Sequence, residues 1–204
     1  MALWTKRHAI PDTAHYFEAA STVFEGRIWT VCDVRYEGWN FYGTRMFVFD
    51  PETEVTTKKY CVNPQFWLAR LLYLAADENN LYMLTLPLDE PQKVFQLFKL
   101  NRATKYYGNM LWESVMAISR CGSFVSIVII NQIMYILEVD AHPTNEVYLI
   151  RIDLQKREVV DIKTLLSTRG RQWSGCLLLH NNTLFLMEAK GKVRKRKKLH
   201  KSYH

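Results

Sequence analysis

A pattern that recurs about every 50 residues limits the fold of this chain more than any other feature of its sequence. At four positions an aromatic residue follows an aliphatic one shortly after a turn-forming pair: Trp29, Tyr82, Tyr135 and Phe185. Their spacings are 53, 53 and 50 residues. A second landmark is a strand-like segment closed by Asp or Asn, and it ends at Asp50, Asn101 and Asp153, with spacings of 51 and 52 residues. Two independent landmarks with one period indicate a repeat architecture.

Each repeat predicts four antiparallel strands, which we label a, b, c and d. The turns between strands a and b are formed by Glu25-Gly26, Asn79-Asn80, Asn131-Gln132 and Asn181-Asn182. Gly and Asn tolerate the positive φ that a two-residue hairpin turn needs, and Asp or Asn can cap the turn between strands c and d. Strand a is predicted at residues 19–24, 71–76, 124–130 and 175–179. Strand d is predicted at residues 55–61, 106–111 and 158–162.

Four antiparallel strands per period of about 50 residues predict an all-β protein, a β-propeller or part of one. The repeats occupy residues 15–188, in units of about 15–62, 70–112, 120–163 and 171–188. An N-terminal segment, 1–14, precedes them, and a basic tail, 189–204, follows and is predicted to be disordered. A helical solenoid of this period would need two long segments with helical periodicity in each repeat, and the chain has none.

The clearest copy of the unit resembles a kelch repeat. The resemblance rests on residues 19–31, a small-residue strand with a turn and an aromatic, and on residues 47–53, an aromatic-Asp-Pro segment. The chain departs from that family in two ways. The Gly-Gly pair of the family is replaced by Val31-Cys32, Leu84-Thr85, Leu137-Glu138 and Met187-Glu188. The Trp expected about six residues after the Asp is replaced by Thr56, Tyr107 and Val159.

The number of repeats leaves the closure of the ring open. The sequence contains three full units and the first two strands of a fourth, whereas propellers close with about four to eight blades. Either the sequence is part of a longer chain, or open sheet edges pair between copies, or fewer blades close the ring. If the edges pair between copies, two half-rings could together form a ring of seven blades. Open edges favour self-association in any case.

The loops between strands b and c, and between strands d and a, lie on one face and are the longer ones, so we predict that this face binds a partner. The loop at residues 33–45 contains the aromatic residues Tyr36, Trp39 and Tyr42, which are typical anchors of binding sites. Arg70, Arg120 and Arg171 each precede a strand a. The kelch resemblance implies that arginines at this position line a ligand-binding face, and Arg suits carboxylates, so an acidic peptide motif is the predicted ligand. The alternative is that these aromatic and basic side chains only pack and bond between blades.

The basic residues are concentrated at the C-terminal end. Eight of the 27 Lys and Arg residues follow Glu188, the last of the 20 acidic residues, so residues 1–188 are nearly neutral. The densest part of the tail is formed by Lys192, Arg194, Lys195, Arg196, Lys197 and Lys198. Such a cluster is typical of a nuclear-import signal, read by an import receptor, or of a polyanion-binding patch. A solvated tail without a function is the alternative.

The sequence favours a non-catalytic scaffold that binds another protein, located in the cytoplasm or the nucleus. The four cysteines form no CxxC pair, the six histidines are scattered, and no local catalytic signature is present, so we expect neither a metal, a cofactor nor an enzyme. The chain has no run of apolar residues typical of a membrane span, and we expect no membrane contact. A nuclear nucleic-acid-associated protein that acts through its tail is the second hypothesis. A propeller-fold enzyme, such as a sialidase or a copper-dependent galactose oxidase, is the third.

Overall fold

The computed structural model describes the strands of the chain and part of their connections. The described residues are 15–35, 42–60, 69–87, 94–106, 109–119, 122–140, 146–168, 173, 175–180 and 183–188. Every regular element among them is a β-strand, which confirms the predicted all-β class. Within these residues no helix is long and apolar enough to cross a membrane.

The strands form three four-stranded antiparallel sheets and one two-stranded sheet, which we call blades 1 to 3 and the half-blade. Blade 1 consists of His15–Phe24 (β1), Arg27–Arg35 (β2), Tyr42–Asp50 (β3) and Val55–Tyr60 (β4). Blade 2 consists of Ala69–Ala76 (β5), Leu81–Pro87 (β6), Val94–Tyr106 (β7) and Asn109–Ser119 (β8). Blade 3 consists of Ser123–Ile130 (β9), Ile133–Asp140 (β10), Glu146–Asp153 (β11) and Glu158–Ser167 (β12). The half-blade consists of Gly175–His180 (β13) and Thr183–Glu188 (β14).

Successive blades pack face to face through three apolar clusters. The cluster between blades 1 and 2 includes Val31, Met46, Leu81, Met83 and Phe98. The cluster between blades 2 and 3 includes Tyr82, Leu84, Phe95, Met134 and Ile150. The cluster between blade 3 and the half-blade includes Leu137, Val147, Trp173, Leu177 and Leu184. Each buried large aliphatic or aromatic side chain contributes about 1.5–3 kcal/mol, so the stacking of blades is the main source of stability.

The stacking follows from the two-residue periodicity of a strand. In β6, Leu81 and Met83 project toward blade 1, whereas Tyr82 and Leu84 project toward blade 3. All four are buried, because blade 2 is covered on both faces. The first strands of consecutive blades also contact one another, β1 with β5, β5 with β9 and β9 with β13. This is the arrangement of a propeller, in which strand a of every blade lines the centre.

Two of the predicted a–b turns are confirmed and one is wrong. Glu25 and Gly26 have φ of 52° and 71°, and Asn131 and Gln132 have φ of 50° and 64°, as a primed two-residue turn requires. Between β5 and β6 the connection spans residues 77–80 instead of the predicted pair. The carboxylate of Asp77 accepts the backbone N–H groups of Asn79 at 2.8 Å and Asn80 at 2.6 Å, so the loop is ordered by a side chain.

The turn predicted at Asn101 is also wrong. Strand β7 continues to Tyr106 and β8 begins at Asn109, so residues 112–119, which lie beyond the predicted strand d at 106–111, belong to β8. Strand β8 contains a bulge at Val115, where the register with β7 shifts by one residue. As a result, Trp112 is buried against blade 1 and Ile118 is buried against blade 3. Because the bulge reverses the side on which the following residues lie, this strand lacks the simple alternation that marks strands in a sequence.

Candidate functional site

The two ends of the blades differ in the length of their connections. One end, which we call the turn face, carries the a–b and c–d connections of two to four residues. The other end, the loop face, carries the b–c and d–a connections of three to eight residues. Short turns leave little surface beyond the sheet, whereas longer connections place additional side chains there. The loop face is therefore the candidate site.

The predicted site residues fall only partly within the described residues. Tyr42 lies at the start of β3, opposite Arg35 of β2, and Arg70 lies in β5, opposite Leu86 of β6. Both were predicted in connections, and that placement was wrong, because the strand pairing continues further toward the loop face. The remaining predicted residues lie outside the described residues: Tyr36, Trp39, Arg120, Arg171 and the tail residues Lys192, Arg194, Lys195, Arg196, Lys197 and Lys198.

A buried carboxylate that the sequence analysis missed lies at the loop-face end of blade 3. Glu138 of β10 is 0% exposed, and its Oε1 accepts the backbone N–H of Gly122 at 2.9 Å. The approach is close, since a Cβ on Gly122 would lie 2.6 Å from the Cγ and Oε1 of Glu138. Gly122 is two residues after Arg120. The hydrogen bond therefore fixes the chain next to one of the predicted ligand-contacting residues.

Further acidic side chains follow on the same side of blade 3. Ile136, Glu138 and Asp140 alternate along β10, and Ile136 belongs to the cluster with blade 2, so all three project toward blade 2. Asp140 lies opposite Glu146 of β11, whose Oε2 accepts the Tyr148 hydroxyl at 2.7 Å. The rim of blade 3 toward the loop face is therefore rich in acceptors. The sequence signal for it is a single acidic residue, Glu138, that follows the apolar residues 133–137.

No group of three or more His, Cys, Asp or Glu side chains is arranged around a common point within the described ranges. Cys32, which is buried, and Cys176, which is exposed, are free thiols, whereas Cys61 and Cys121 lie outside the described residues.

Comparison with known proteins identifies the fold. No protein-family model and no curated protein matches the sequence. Among solved structures, the β-propeller domain of the Trilobed protease from Pyrococcus furiosus, described as having an open velcro topology, is similar to this chain. Its TM-score is 0.50 and its identity 10%, over 93% of this chain and 58% of that domain. The Phage phi92 endosialidase gives a TM-score of 0.53 at 8% identity, over 84% of this chain and 30% of that protein.

A third similar structure is the GH32 β-fructofuranosidase from Bombyx mori, with a TM-score of 0.52 at 12% identity. That alignment covers 88% of this chain and 44% of the fructofuranosidase. The chain thus spans well under two thirds of each of these three structures. At such low identity the likeness concerns the fold alone, and the fold is that of a β-propeller with four-stranded antiparallel blades.

Proposed function

We propose that this protein is a non-catalytic protein-interaction scaffold of the kelch-like propeller type, which binds a protein partner through its loop face. The observation that carries the proposal is the difference between the two faces. Connections of three to eight residues converge at one face and connections of two to four residues at the other. Propeller scaffolds hold their blades by buried stacking and leave the longer connections to make contacts.

The predicted contacts of the loop face combine aromatic anchors with arginines. Tyr36, Trp39 and Tyr42 would supply apolar contact area, and Arg70, Arg120 and Arg171 would bind carboxylates of an acidic peptide motif. Glu146, which is partly exposed, lies at the loop-face end of blade 3. A partner with acidic groups would therefore contact the arginines and stay away from Glu146.

The proposal is tested with purified protein and an array of acidic peptides. We expect the triple variant Trp39→Ala, Arg120→Ala, Arg171→Ala to lose at least tenfold in affinity for the peptides that the unmodified protein binds. The matched control changes three exposed residues of the turn face, Glu52→Ala, Gln155→Ala and Lys156→Ala. Equal binding by both variants and by the unmodified protein would contradict a role of the loop face.

A second proposed function uses the tail. Eight of the 27 basic residues lie after Glu188, and this concentration favours nuclear import or binding of nucleic acid in addition to the scaffold role. We expect deletion of residues 189–204 to abolish nuclear accumulation and the salt-sensitive retention of the protein on heparin. Unchanged location and retention would rule out this second function and leave the first one unaffected.

A further inference from the structure

The half-blade has two described strands, whereas each complete blade has four. The corresponding strands of the complete blades, β2, β6 and β10, are each paired on both sides. Within the described residues, β14 is paired only with β13. Every second N–H and C=O of β14 therefore points away from β13, in the direction where strand c lies in the other blades.

The outermost strands of the complete blades carry features that discourage further pairing, and β14 does not. The pairing of β8 and that of β12 with their neighbours each contain two register shifts. The short strand β4 carries Lys58 and Lys59. Bulges and lysines are the usual protection of an exposed sheet edge. In contrast, β13 and β14 pair without interruption over six residues, and positions 184–187 carry no charge.

The half-blade also exposes apolar side chains on the face that points away from blade 3. Leu177 and Leu184 are buried against blade 3 and hold the half-blade in place. Met187 of β14 is 52% exposed, and Leu178 of β13 is 48% exposed. The register places Leu178 opposite Phe185, next to the pair of Cys176 and Met187, so these residues form one apolar surface beside the outer edge of β14.

The residues that follow β14 at the distance of a strand c are basic rather than apolar. Five or six residues separate strands b and c in the complete blades, so strand c would begin near Arg194. Residues 194–198 are five consecutive Arg and Lys. In the complete blades strand c buries apolar side chains such as Met46, Phe95 and Val147. Five adjacent cations cannot take such a position, because burying an unpaired charge is too costly.

We propose that the outer edge of β14 accepts an extended strand from another protein molecule, which pairs antiparallel to β14 and completes the half-blade. The accepted strand has apolar residues at alternate positions, because one of its faces lies against blade 3. It carries a net negative charge, because residues 190–198, which directly follow β14, contain seven Lys and Arg.

The probe for this site is a labelled synthetic peptide with the sequence of β11, residues 146–153. Its apolar residues at positions 148, 150 and 152 lie on one face of the strand, and its two acidic residues and one Arg give it a net negative charge. We expect it to bind and to slow hydrogen exchange at β14, measured by mass spectrometry, and to leave β12 unchanged. We expect a peptide of the same composition without the alternation, and a peptide with Glu146→Lys and Asp153→Lys, to bind at least tenfold more weakly.

Two exposed positions provide matched variants. Met187→Glu places a negative charge beside the outer edge of β14 and is expected to weaken peptide binding at least tenfold. Val160→Glu, at a position 48% exposed on β12, is the control and is expected to have no effect. The loop-face variant Trp39→Ala is also expected to bind the peptide normally, which separates this site from the proposed loop-face function.

Several results would overturn the proposal. Equal weakening by Met187→Glu and Val160→Glu, or protection of β12 instead of β14, would show that the peptide binds without using this edge. Absence of binding to the full chain, together with binding after deletion of residues 1–14 or 189–204, would show that a segment of the same molecule occupies the edge. Equal binding of the charge-reversed peptide would exclude the electrostatic part of the proposal.

Discussion

At the residue scale, the contact between Glu138 and Gly122 is sensitive to substitution. The carboxylate is fully buried and accepts the N–H that begins the last turn before β9. A buried carboxylate is stable only when hydrogen bonds reach its oxygens. The backbone at Gly122 must therefore keep its position. The same contact leaves no space for a side chain at residue 122.

We expect Gly122→Ala to lower the free energy of unfolding by about 1–3 kcal/mol, because the added methyl group collides with the Glu138 side chain. Urea denaturation measures the effect. In the Glu138→Ala variant, Gly122→Ala should lower the free energy of unfolding by clearly less, because the side-chain atoms that collide with the methyl group are absent. Ser123→Ala, an exposed neighbour, is the control. Additive effects of Gly122→Ala and Glu138→Ala would show that the two residues do not interact.

Tyr82 should titrate at unusually high pH. Its burial between blades 2 and 3, the negative charge of Asp77 and a hydrogen bond to Asp77 raise the pKa of its phenol to about 12. Comparing the absorbance titration of the protein with that of Tyr82→Phe isolates this group. We expect Asp77→Asn to lower the pKa of Tyr82 while leaving it above the ordinary value, since burial is the largest cause.

The raised pKa of Tyr82 has a consequence for stability. A group with a pKa that is higher in the folded state contributes stability below its unfolded pKa of about 10, and this contribution is lost as the pH rises toward about 12. Unfolding midpoints measured between pH 9 and 12 should therefore fall less steeply in Tyr82→Phe than in the unmodified protein. Identical slopes would contradict this account.

At the scale of elements, the hairpins between strands c and d share one construction in blades 1 and 3. Both have a four-residue loop after an Asp, with a positive φ at its last residue, 56° at Glu54 and 59° at Arg157. The Asp153 carboxylate accepts two backbone N–H groups, from Gln155 and Lys156, both at 2.9 Å. Asp50 does the same in blade 1 and also binds Arg27 at 3.0 Å. One local device thus sets the register of β3 with β4 and of β11 with β12.

We expect Asp153→Ala to destabilise the protein by about 1 kcal/mol, because two loop N–H groups lose their acceptor. Asp153→Asn keeps a side-chain oxygen in the same place and should destabilise the protein by only a few tenths of the amount expected for Asp153→Ala. Thermal unfolding compares the two variants, with Lys156→Ala as an exposed control. An equal cost for Asp153→Ala and Asp153→Asn would show that the side-chain oxygen is not what orders the loop.

At the scale of the whole molecule, stability should decrease from the middle of the stack toward the half-blade. Blade 2 is covered by blades on both faces, whereas the half-blade has two strands and is buried on one face. In stacked repeats, the free energy of unfolding is close to the sum of the contributions of each repeat and of each interface between neighbouring repeats. The half-blade therefore opens more easily than blade 2, which suits an element that accepts a strand.

Native-state hydrogen exchange tests this gradient. We expect the slowest amides in β6 and β7 and the fastest strand amides in β13 and β14. Leu84→Ala, in the cluster between blades 2 and 3, should accelerate exchange in both of these blades. Leu177→Ala should accelerate it in the half-blade alone. Uniform exchange in all blades would indicate a single cooperative unit instead.

The sequence by itself determined the features that depend on neighbouring residues. The period of the repeat, the all-β class, the two-residue turns at Glu25 and Asn131 and the capped loops at Asp50 and Asp153 were all predicted correctly. Each depends on local backbone preferences or on the alternation of apolar residues, and both can be recognised in a sequence. The kelch assignment and the loop-face contacts stay predictions.

Only the tertiary structure decided what depends on packing between blades. The extended hairpin of β7 and β8 overrides the turn signal at Asn101, because Trp112 and Ile118 gain buried contacts with two different blades. Tyr42 lies in a strand for a similar reason, since pairing with β2 continues past the predicted loop boundary. The burial of Glu138 was equally hidden, because it depends on a backbone N–H that is 16 residues away in the chain. Such contacts join residues that are distant in sequence, and a local pattern contains no information about them.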